Sequence, residues 1–394
     1  MRFAIGDATV DVIVDDDDFG LPLAEFLPGY DRGLIETHRA TLEPVFIDLA
    51  RGLAKHAIQS FVVRTGGRTL LIDACIGEHK DIPEIPAWHR RRGSGFLDRL
   101  RACGVDPAGI DVVFCTHLHV DHVGWNTRQD SGRWQPTFPN ARYLFGRREL
   151  ADWMTQHDAG RAPPIHARAL EQSVIPIVEG GRVDLVDDGH QLGPGLRLVP
   201  LPGHTSGQMG LMVDYAQHRA IFCGDAVHNP VQIFQPDLST SSCADPQLAG
   251  ETRAKVLAEA ADSGRLVIPA HFRGPRCAHI RRDGGLRTGV RCPALVRFNT
   301  QRRGSPGEDR AYHPVHWNRN PACAFPALTE DAMLRDEQVA VLCDIAQSIA
   351  FADDVQGEVD RLIREGYVAK DGDLYELTPK AEKVLSERGA CLKA

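Results

Sequence analysis

The 394-residue chain has no C-x-x-C pair, no secretory leader and no membrane-length apolar run. Its ten cysteines are scattered, and those that end apolar runs, such as Cys115 and Cys223, are expected to be small core residues. The opening stretch MRFAIGDATVDVIVDDDD lacks the basic and apolar regions of a signal peptide. No run approaches the roughly 18 apolar residues that a membrane span needs. These absences predict a cytoplasmic protein with no membrane association.

Length and charge divide the chain into parts. It is long enough for a large domain plus a smaller one, and its 43% apolar and 25% charged content is typical of a folded globular protein. Residues 273–329 carry eleven arginines against three acids, whereas residues 330–394 carry fifteen acids against eight basic groups. The predicted divisions are a catalytic domain at 1–280, an Arg-rich linker or arm at 281–327 and a small domain at 328–394.

The stretch THLHVDHVG places four metal-capable side chains within six positions, directly after the apolar run 112–115. They are His117, His119, Asp121 and His122. Burying four such groups without partners would cost several kcal/mol, so a metal site explains the cluster better than a structural role does. In an extended turn, alternation would direct residues 117, 119 and 121 to one side and His122 elsewhere. This geometry favours two metal ions over one.

Three more apolar runs also finish in side chains that can bind a metal. "LRLVPLPGH" delivers His204, "RAIFCGD" delivers Asp225 and "RLVIPAH" delivers His271. We expect His117, His119 and His204 to hold the first ion, Asp121, His122 and His271 the second, and Asp225 to bridge them. Zinc suits these nitrogen and oxygen ligands, although iron or manganese would too. Lone histidines elsewhere, including His56 and His166, are expected to be ordinary surface or core residues.

This pattern, H-x-H-x-D-H followed by separated His, Asp in "GD" and His, resembles the metallo-β-lactamase superfamily over about residues 1–280. The resemblance implies an α/β fold, an αβ/βα sandwich of two mixed sheets with helices outside, and a dinuclear site at the sheet edge. A hydroxide shared by two zinc ions would attack a carbonyl or phosphoryl centre. Asp225 would bridge the ions and Asp121 would also orient the attack.

Departures from relatives narrow the expected function. The dizinc β-lactamases have no Asp after Gly at the position of Asp225, and the acidic catalytic part disfavours nucleic acid. Quorum-quenching lactonases and methyl parathion hydrolases are the nearest branches. His228 stands where the lactonases have a Tyr, and is expected either to assist the substrate or only to line the pocket. A hydrolase of small esters, lactones or phosphotriesters is predicted; a thioesterase of the glyoxalase II kind is an alternative.

Apolar side chains near the metal turn are candidates for the substrate pocket. Trp125 follows that turn, Phe272 follows His271, and the segment DDDDFGLPLAEFLPGY offers Phe19 and Phe26 as a lip. Each could instead be an ordinary core residue. The run Asp15–Asp18 is expected to be a solvated turn.

The end of the chain predicts two helices, a hairpin about Asp371-Gly372 and a last helix, which resembles a winged helix. This raises the alternative of a transcriptional regulator or ligand sensor. The second predicted helix, 353–368, carries more acids than arginines, which disfavours contact with a duplex. A docking or lid element, or a homodimer contact, fits the acidic module better.

Overall fold

The computed structural model of the chain describes residues 1–282, 358–371, 374–378 and 380–381. The chain divides into two compact units, Met1–Arg297 and Phe298–Ala394. The predicted linker beyond Arg282 and the first predicted helix of the small domain lie outside the described residues.

The strands of the described residues fall into four sheets. They are β1 (Arg2–Ile5), β2 (Ala8–Pro22), β3 (Ile47–Asp48), β4 (Leu53–Thr65), β5 (Arg68–Ile72), β6 (Val112–Phe114), β7 (Thr127–Asp130), β8 (Arg133–Pro136), β9 (Arg142–Gly146), β10 (Val183–Val186), β11 (Gln191–Gly193), β12 (Leu196–Pro200), β13 (Met209–Tyr215), β14 (His218–Gly224), β15 (Leu266–Pro269), β16 (Ala278–His279), β17 (Val368–Asp371) and β18 (Leu374–Leu377).

The helices connect and cover these strands. They are α1 (Leu23–Phe26), α2 (Arg32–Thr37), α3 (Arg39–Leu42), α4 (Phe96–Ala102), α5 (Val120–Val123), α6 (Arg147–Asp158), α7 (Pro164–Ala169), α8 (Ile175–Glu179), α9 (Val231–Phe234), α10 (Pro246–Ser263) and α11 (Glu358–Arg364). Short 3₁₀ turns span Pro107–Gly109 and Gly124–Asn126, and a π-turn spans Leu170–Val174.

Two large mixed sheets form the first unit. One has the order β1-β2-β4-β5-β6-β9-β10 with β3 paired to β4, and the other has the order β11-β12-β13-β14-β15-β16. Parallel pairs join β5 to β6, β6 to β9 and β14 to β15. The hairpin β4–β5 turns at Gly66-Gly67, both with positive φ, as the Gly-Gly signal predicts.

Alternating side chains divide the core into layers. On β6, Val112 and Phe114 face the second sheet, whereas Val113 faces the helices outside. Residues of the second sheet repeat this arrangement: Phe222 enters the core between the sheets, and Ile221 packs on the side of α10. The order helix, sheet, sheet, helix confirms the predicted αβ/βα sandwich of the α/β class.

The acidic run Asp15–Asp18 is not a solvated turn, and that prediction is wrong. It lies inside β2, where the register with β4 shifts on either side of Asp16. Asp15 is buried and accepts hydrogen bonds from Arg91 and from the Ile76 amide. Basic side chains that are remote in sequence neutralise these acids, and the acids can therefore lie within a strand.

Within the second unit the described residues contain α11 and the antiparallel pair β17–β18. This hairpin agrees with the one expected about Asp371-Gly372. The remaining elements of the winged-helix interpretation lie outside the described residues. In the described parts of both units, helices fall short of the length and apolarity required to cross a bilayer.

Candidate metal centre

The predicted ligands all follow strands that end at one edge of the sandwich. The turn after β6 carries His117 and His119, the loop after β12 carries His204, and the residues after β14 and β15 are Asp225 and His271. The Met209 amide donates to the Thr116 carbonyl at 2.8 Å, which ties the two sheets together at this edge. Residues distant in sequence therefore meet because their strands are held side by side.

The backbone already bends at Thr116 and His117, and α5 begins at Val120, directly after His119. The predicted alternation through Asp121 is therefore wrong in detail. The helical turn carries Asp121 and His122 together toward His271, whose Nε2 lies 3.5 Å from Asp121 Oδ2. Backbone turning, rather than strand alternation, separates the two halves of the cluster.

Four overlapping groups of side chains could hold a cation. Two of them contain Asp225, with His117 and His122 or with His204 and His228, and the other two match the predicted sets. One comprises His117, His119 and His204, and the other comprises Asp121, His122 and His271; within each group the ligand atoms lie within 4.8 Å of one another. His204 Nε2 is 2.9 Å from His119 Nδ1. Ligand atoms around a tetrahedral zinc ion are about 3.3 Å apart, given bonds near 2.0 Å.

Asp225 lies between the two groups. Its Oδ2 is 3.3 Å from His204 Nε2 and 3.8 Å from His117 Nε2. Its Oδ1 is 3.4 Å from His122 Nε2 and 3.1 Å from His271 Nε2. His271 Nε2 is also 3.2 Å from Oδ2. The carboxylate therefore contacts both groups, as a bridging ligand requires.

The residues fit divalent cations by an independent test. Buried polar atoms normally have hydrogen-bond partners, yet His117 Nε2, His122 Nε2 and Asp225 Oδ1 have none with acceptable geometry. All three atoms face the interior of the cluster. A pair of cations would satisfy them, and these nitrogen and oxygen donors suit zinc, iron or manganese.

The pKa shifts of the cluster histidines also favour bound cations. Burial lowers the pKa of His117, His119 and His204 well below the ordinary value, which favours the neutral imidazole that binds metals. Burial also acts on His122, but neighbouring carboxylates, Asp225 foremost, outweigh it and raise its pKa well above the ordinary value. The carboxylates around His122 therefore favour a positive charge at this position, which a bound cation would supply.

Hydrogen bonds from outside the cluster orient individual ligands. Asp73 Oδ2 lies 3.0 Å from His122 Nδ1, and Asp73 Oδ1 accepts from the Thr116 amide at 2.7 Å. His271 Nδ1 lies 2.9 Å from the Ala57 carbonyl oxygen. Since each contact uses Nδ1, it leaves Nε2 of that ring directed into the cluster.

Glycine is required at position 224, at the end of β14 and directly before the bridging Asp225. Its φ is +50°, and a Cβ there would lie 2.7 Å from Thr116 Oγ1. A larger residue would push Asp225 away from the turn after β6, so the glycine of the "GD" motif has a packing cause.

A cleft of about 300 Å³ opens onto the cluster. Its wall is mainly apolar, and among the described residues its lining contains neither Lys nor Arg. Besides the candidate ligands His119, Asp121, His204, Asp225 and His271, the lining residues are Phe19, Leu21, Pro22, Glu25, Phe26, His56, Ile58, Ile85, Trp88, Val120, Ile165, His166, His228, Ser241 and Ser242. An uncharged, partly apolar ligand fits such a wall.

The pocket expectations divide into two outcomes. Phe19 and Phe26 line the cleft, and so does His228, whose Nε2 is 3.0 Å from Asp225 Oδ2. Trp125 and Phe272 do not. Trp125 is buried and stacks on Phe96, and Phe272 is buried against Phe46, because the backbone after each ligand turns these side chains into the core.

Two histidines expected to be ordinary line the cleft instead. His166 stacks on His119 with ring centroids 4.3 Å apart, and His56 meets Phe26 edge-on at 4.6 Å. No metal-type spacing marks either residue in the sequence. Asp73 was also missed, although it ends the apolar run of β5 in the manner of the predicted ligands.

Comparisons with known proteins agree with this arrangement. A family model described as the metallo-beta-lactamase superfamily matches residues 55–271. Ribonuclease Z of Mycobacterium avium (strain 104) is 27% identical over 178 residues, which are 43% of this chain and 56% of that protein. The N-acyl homoserine lactonase AttM of Rhizobium radiobacter is 28% identical over 127 residues, 31% of this chain and 43% of the other. The chain thus spans about half the length of these curated relatives.

A solved structure supports the fold. The hydrolase AbOPH, of the beta lactamase superfamily, superposes with a TM-score of 0.61 at 22% identity and covers 73% of this chain and 95% of its own.

Proposed function

The chain belongs to the metallo-β-lactamase superfamily, and from that membership we propose that it is a dinuclear metal-dependent hydrolase of small uncharged esters, lactones or phosphotriesters. The observation that carries the proposal is the convergence of six ligand side chains around Asp225, whose carboxylate contacts both groups. A structural zinc site would normally be closed and rich in cysteine, and this one opens onto a cleft.

The proposed ligand sets follow the two groups. His117, His119 and His204 hold one cation, Asp121, His122 and His271 hold the other, and Asp225 bridges them. Two divalent cations, most simply zinc, supply the chemistry of the reaction, since they lower the pKa of a shared water toward 7 and polarise the substrate oxygen.

Side chains of the protein hold and orient the reactants. Asp121 is the most accessible carboxylate of the cluster, with 17% of its side chain exposed, and it can orient the attacking water from the cleft. His228 sits beside Asp225 at the cleft wall, with its ring 5.7 Å from that of Phe26. There it can donate a hydrogen bond to a substrate oxygen or a proton to the leaving group. Apolar side chains on the same wall exclude bulk water.

The wall of the cleft also favours a substrate class. Ribonuclease Z acts on a polyanion, and phosphate recognition draws mainly on Lys and Arg. The cleft lining has neither, and Glu25 adds a negative charge. A neutral substrate with an apolar arm therefore agrees with the wall better than RNA does. The similarity to the lactonase AttM supports the same class, although His228 replaces the lactonase Tyr.

Two further properties, the cellular setting and the oligomeric state, are proposed from fewer observations. Among the described residues, Cys75, Cys103, Cys115, Cys223 and Cys243 are free thiols. This supports a reducing, cytoplasmic setting. A homodimer through the small C-terminal domain and the regulator alternative rest on the sequence alone, and they stay predictions.

Metal analysis combined with a substrate panel tests the proposal. We expect about two ions per chain, and hydrolysis of at least one aryl ester, acyl-homoserine lactone, thioester or phosphotriester that a chelator abolishes and zinc restores. His119→Ala should lose one or both ions, whereas His218→Ala, at an exposed position on β14, should keep both. Full activity in metal-free protein would refute the proposal. Cleavage of RNA with no turnover of the neutral panel would overturn the substrate class.

A further inference from the structure

A buried carboxylate outside the ligand set touches the loops that carry half of the cluster. Glu149 lies in the first turn of α6 and is 1% exposed. It is not a candidate ligand, since it appears in none of the groups able to hold a cation among the described residues. Burial raises the pKa of Glu149, while its hydrogen bonds act in the opposite direction.

The Glu149 carboxylate accepts four hydrogen bonds, two at each oxygen. Oε1 accepts from the Leu118 amide at 3.0 Å and from Trp153 Nε1 at 2.8 Å. Oε2 accepts from Thr205 Oγ1 at 2.6 Å and from the Gly207 amide at 3.1 Å. Leu118 stands between His117 and His119, and Thr205 follows His204. One carboxylate therefore joins the two loops that carry the first ligand group.

Close packing fixes the second of these loops against α6. A Cβ at Gly207 would lie 2.2 Å from the Glu149 backbone nitrogen, so the loop rests directly on the start of the helix. The Glu149 side chain then spans from this contact to the turn after β6. A shift of either loop would break hydrogen bonds that have no water to replace them.

We propose that Glu149 is the positioning residue of the first metal group, fixing the separation of His204 from His117 and His119. This inference rests on the proposed function. The second group has other supports, Asp73 at His122 and the Ala57 carbonyl at His271, and Glu149 contacts neither. Asp73 also accepts from the Thr116 amide beside His117, so it reaches both groups, whereas Glu149 reaches only the first.

The proposal explains why a carboxylate occupies this position. Each oxygen must accept two hydrogen bonds, which an ionised carboxylate does without a conflicting donor. In Glu149→Gln the amide nitrogen would face the Gly207 N–H, although the Thr205 hydroxyl could rotate to accept from it. In Glu149→Ala all four donors would lose their partner.

Zinc titration in competition with a chromogenic chelator tests the proposal on protein first stripped of metal. We expect wild type to bind two ions and Glu149→Ala to weaken one of them about 10- to 100-fold, the range for loss of an outer hydrogen-bond partner. Glu149→Gln should shift the same ion by less and remains informative if the alanine variant fails to fold. Asp73→Asn, whose side chain contacts both His122 and the Thr116 amide, should weaken both ions. Trp153→Phe is the control. It keeps an aromatic ring beside His119 and removes the one donor to Glu149 that does not lie on a ligand loop.

The outcomes separate this inference from the proposed function. If wild type binds fewer than two ions, the dinuclear proposal falls. If wild type binds two but Glu149→Gln lowers only the melting temperature, with both affinities unchanged, Glu149 is merely structural and the inference falls. Equal weakening of both ions in Glu149→Gln would also overturn the inference, because Glu149 would then not act on the first group alone.

Discussion

Gly124 follows the metal turn and meets another segment backbone to backbone. A Cβ at this position would lie 1.8 Å from the Ile76 carbonyl oxygen and 2.6 Å from the Gly77 nitrogen. Its φ is −57°, so the constraint is space rather than backbone conformation. In Gly124→Ala the segment 74–77 and the turn must separate, because backbone atoms cannot move aside as a flexible side chain could.

The cost follows from the hydrogen bonds at this junction. The His122 carbonyl accepts from the Ala74 amide at 2.7 Å, and the amides of Gly124 and Trp125 donate to the carbonyls of Cys75 and Ala74 at 2.7 and 2.6 Å. Three such bonds contribute about 0.5–1.5 kcal/mol each, and forced overpacking costs about 1–3 kcal/mol. We expect Gly124→Ala to lose roughly 3–6 kcal/mol, which lowers Tm by at least about 6 °C in a domain of this size.

Thermal unfolding with and without added zinc, together with metal analysis, measures this effect. The displaced turn carries His122, so metal content should fall as well as Tm. Gly109→Ala is the matched control, because a Cβ there meets nothing within 4 Å, and it should stay within about 1 kcal/mol of wild type. If Gly124→Ala melted within 2 °C of wild type and kept its full metal content, the reasoning from backbone contact would be refuted.

Three other changes test separate parts of the molecule. His228→Phe keeps an aromatic ring beside Phe26 but removes both nitrogens; we expect kcat/KM to fall about tenfold or more at unchanged metal content, and an unchanged rate on every substrate would remove His228 from the reaction. Burial lowers the pKa of Lys80 well below its ordinary 10.5, so the unfolded chain binds a proton that the folded chain releases. The free energy of unfolding should therefore rise with pH from the folded-state pKa of Lys80 up to about 10.5. In Lys80→Met, urea unfolding across that window should show a smaller rise of this free energy with pH. An equal rise in the variant and in wild type would contradict this. Burial raises the pKa of Cys223 to about 12, so iodoacetamide at pH 8 should label this thiol only after unfolding, and mass spectrometry showing rapid labelling of the folded protein would contradict it.

The layered fold and the ligand loops were predictable from sequence because both depend on short local signals. Apolar runs of strand length predict buried strands, and a metal-capable residue directly after each run predicts a site at the sheet edge. His204 and Asp225 are examples. The pairing of strands brings these residues together, and no detail of loop conformation is needed to expect it.

Features that depend on turning of the backbone were not predictable in this way. Trp125 follows the metal turn in sequence, yet the short 3₁₀ turn directs its ring into the core beside Phe96. His56 lies on β4 opposite Phe19, and its place at the cleft follows from strand register. The acids from Asp15 onward resemble a solvated turn because their partners, Arg91 and Arg276 among them, are remote in sequence.

Supports of the ligands are the least visible from sequence, for a physical reason. A metal ligand must be one of a few residue types, but two of the four donors to Glu149 are backbone amides, which every residue except proline offers. Leu118 could be replaced without changing the amide that donates to Glu149, and space rather than hydrogen bonding restricts position 207 to glycine. No pairing of residue types therefore records the contact, although it fixes the distance between two ligand loops. Asp73 is the partial exception, because it ends a strand as the ligands do, and the same strand-tip rule could have identified it.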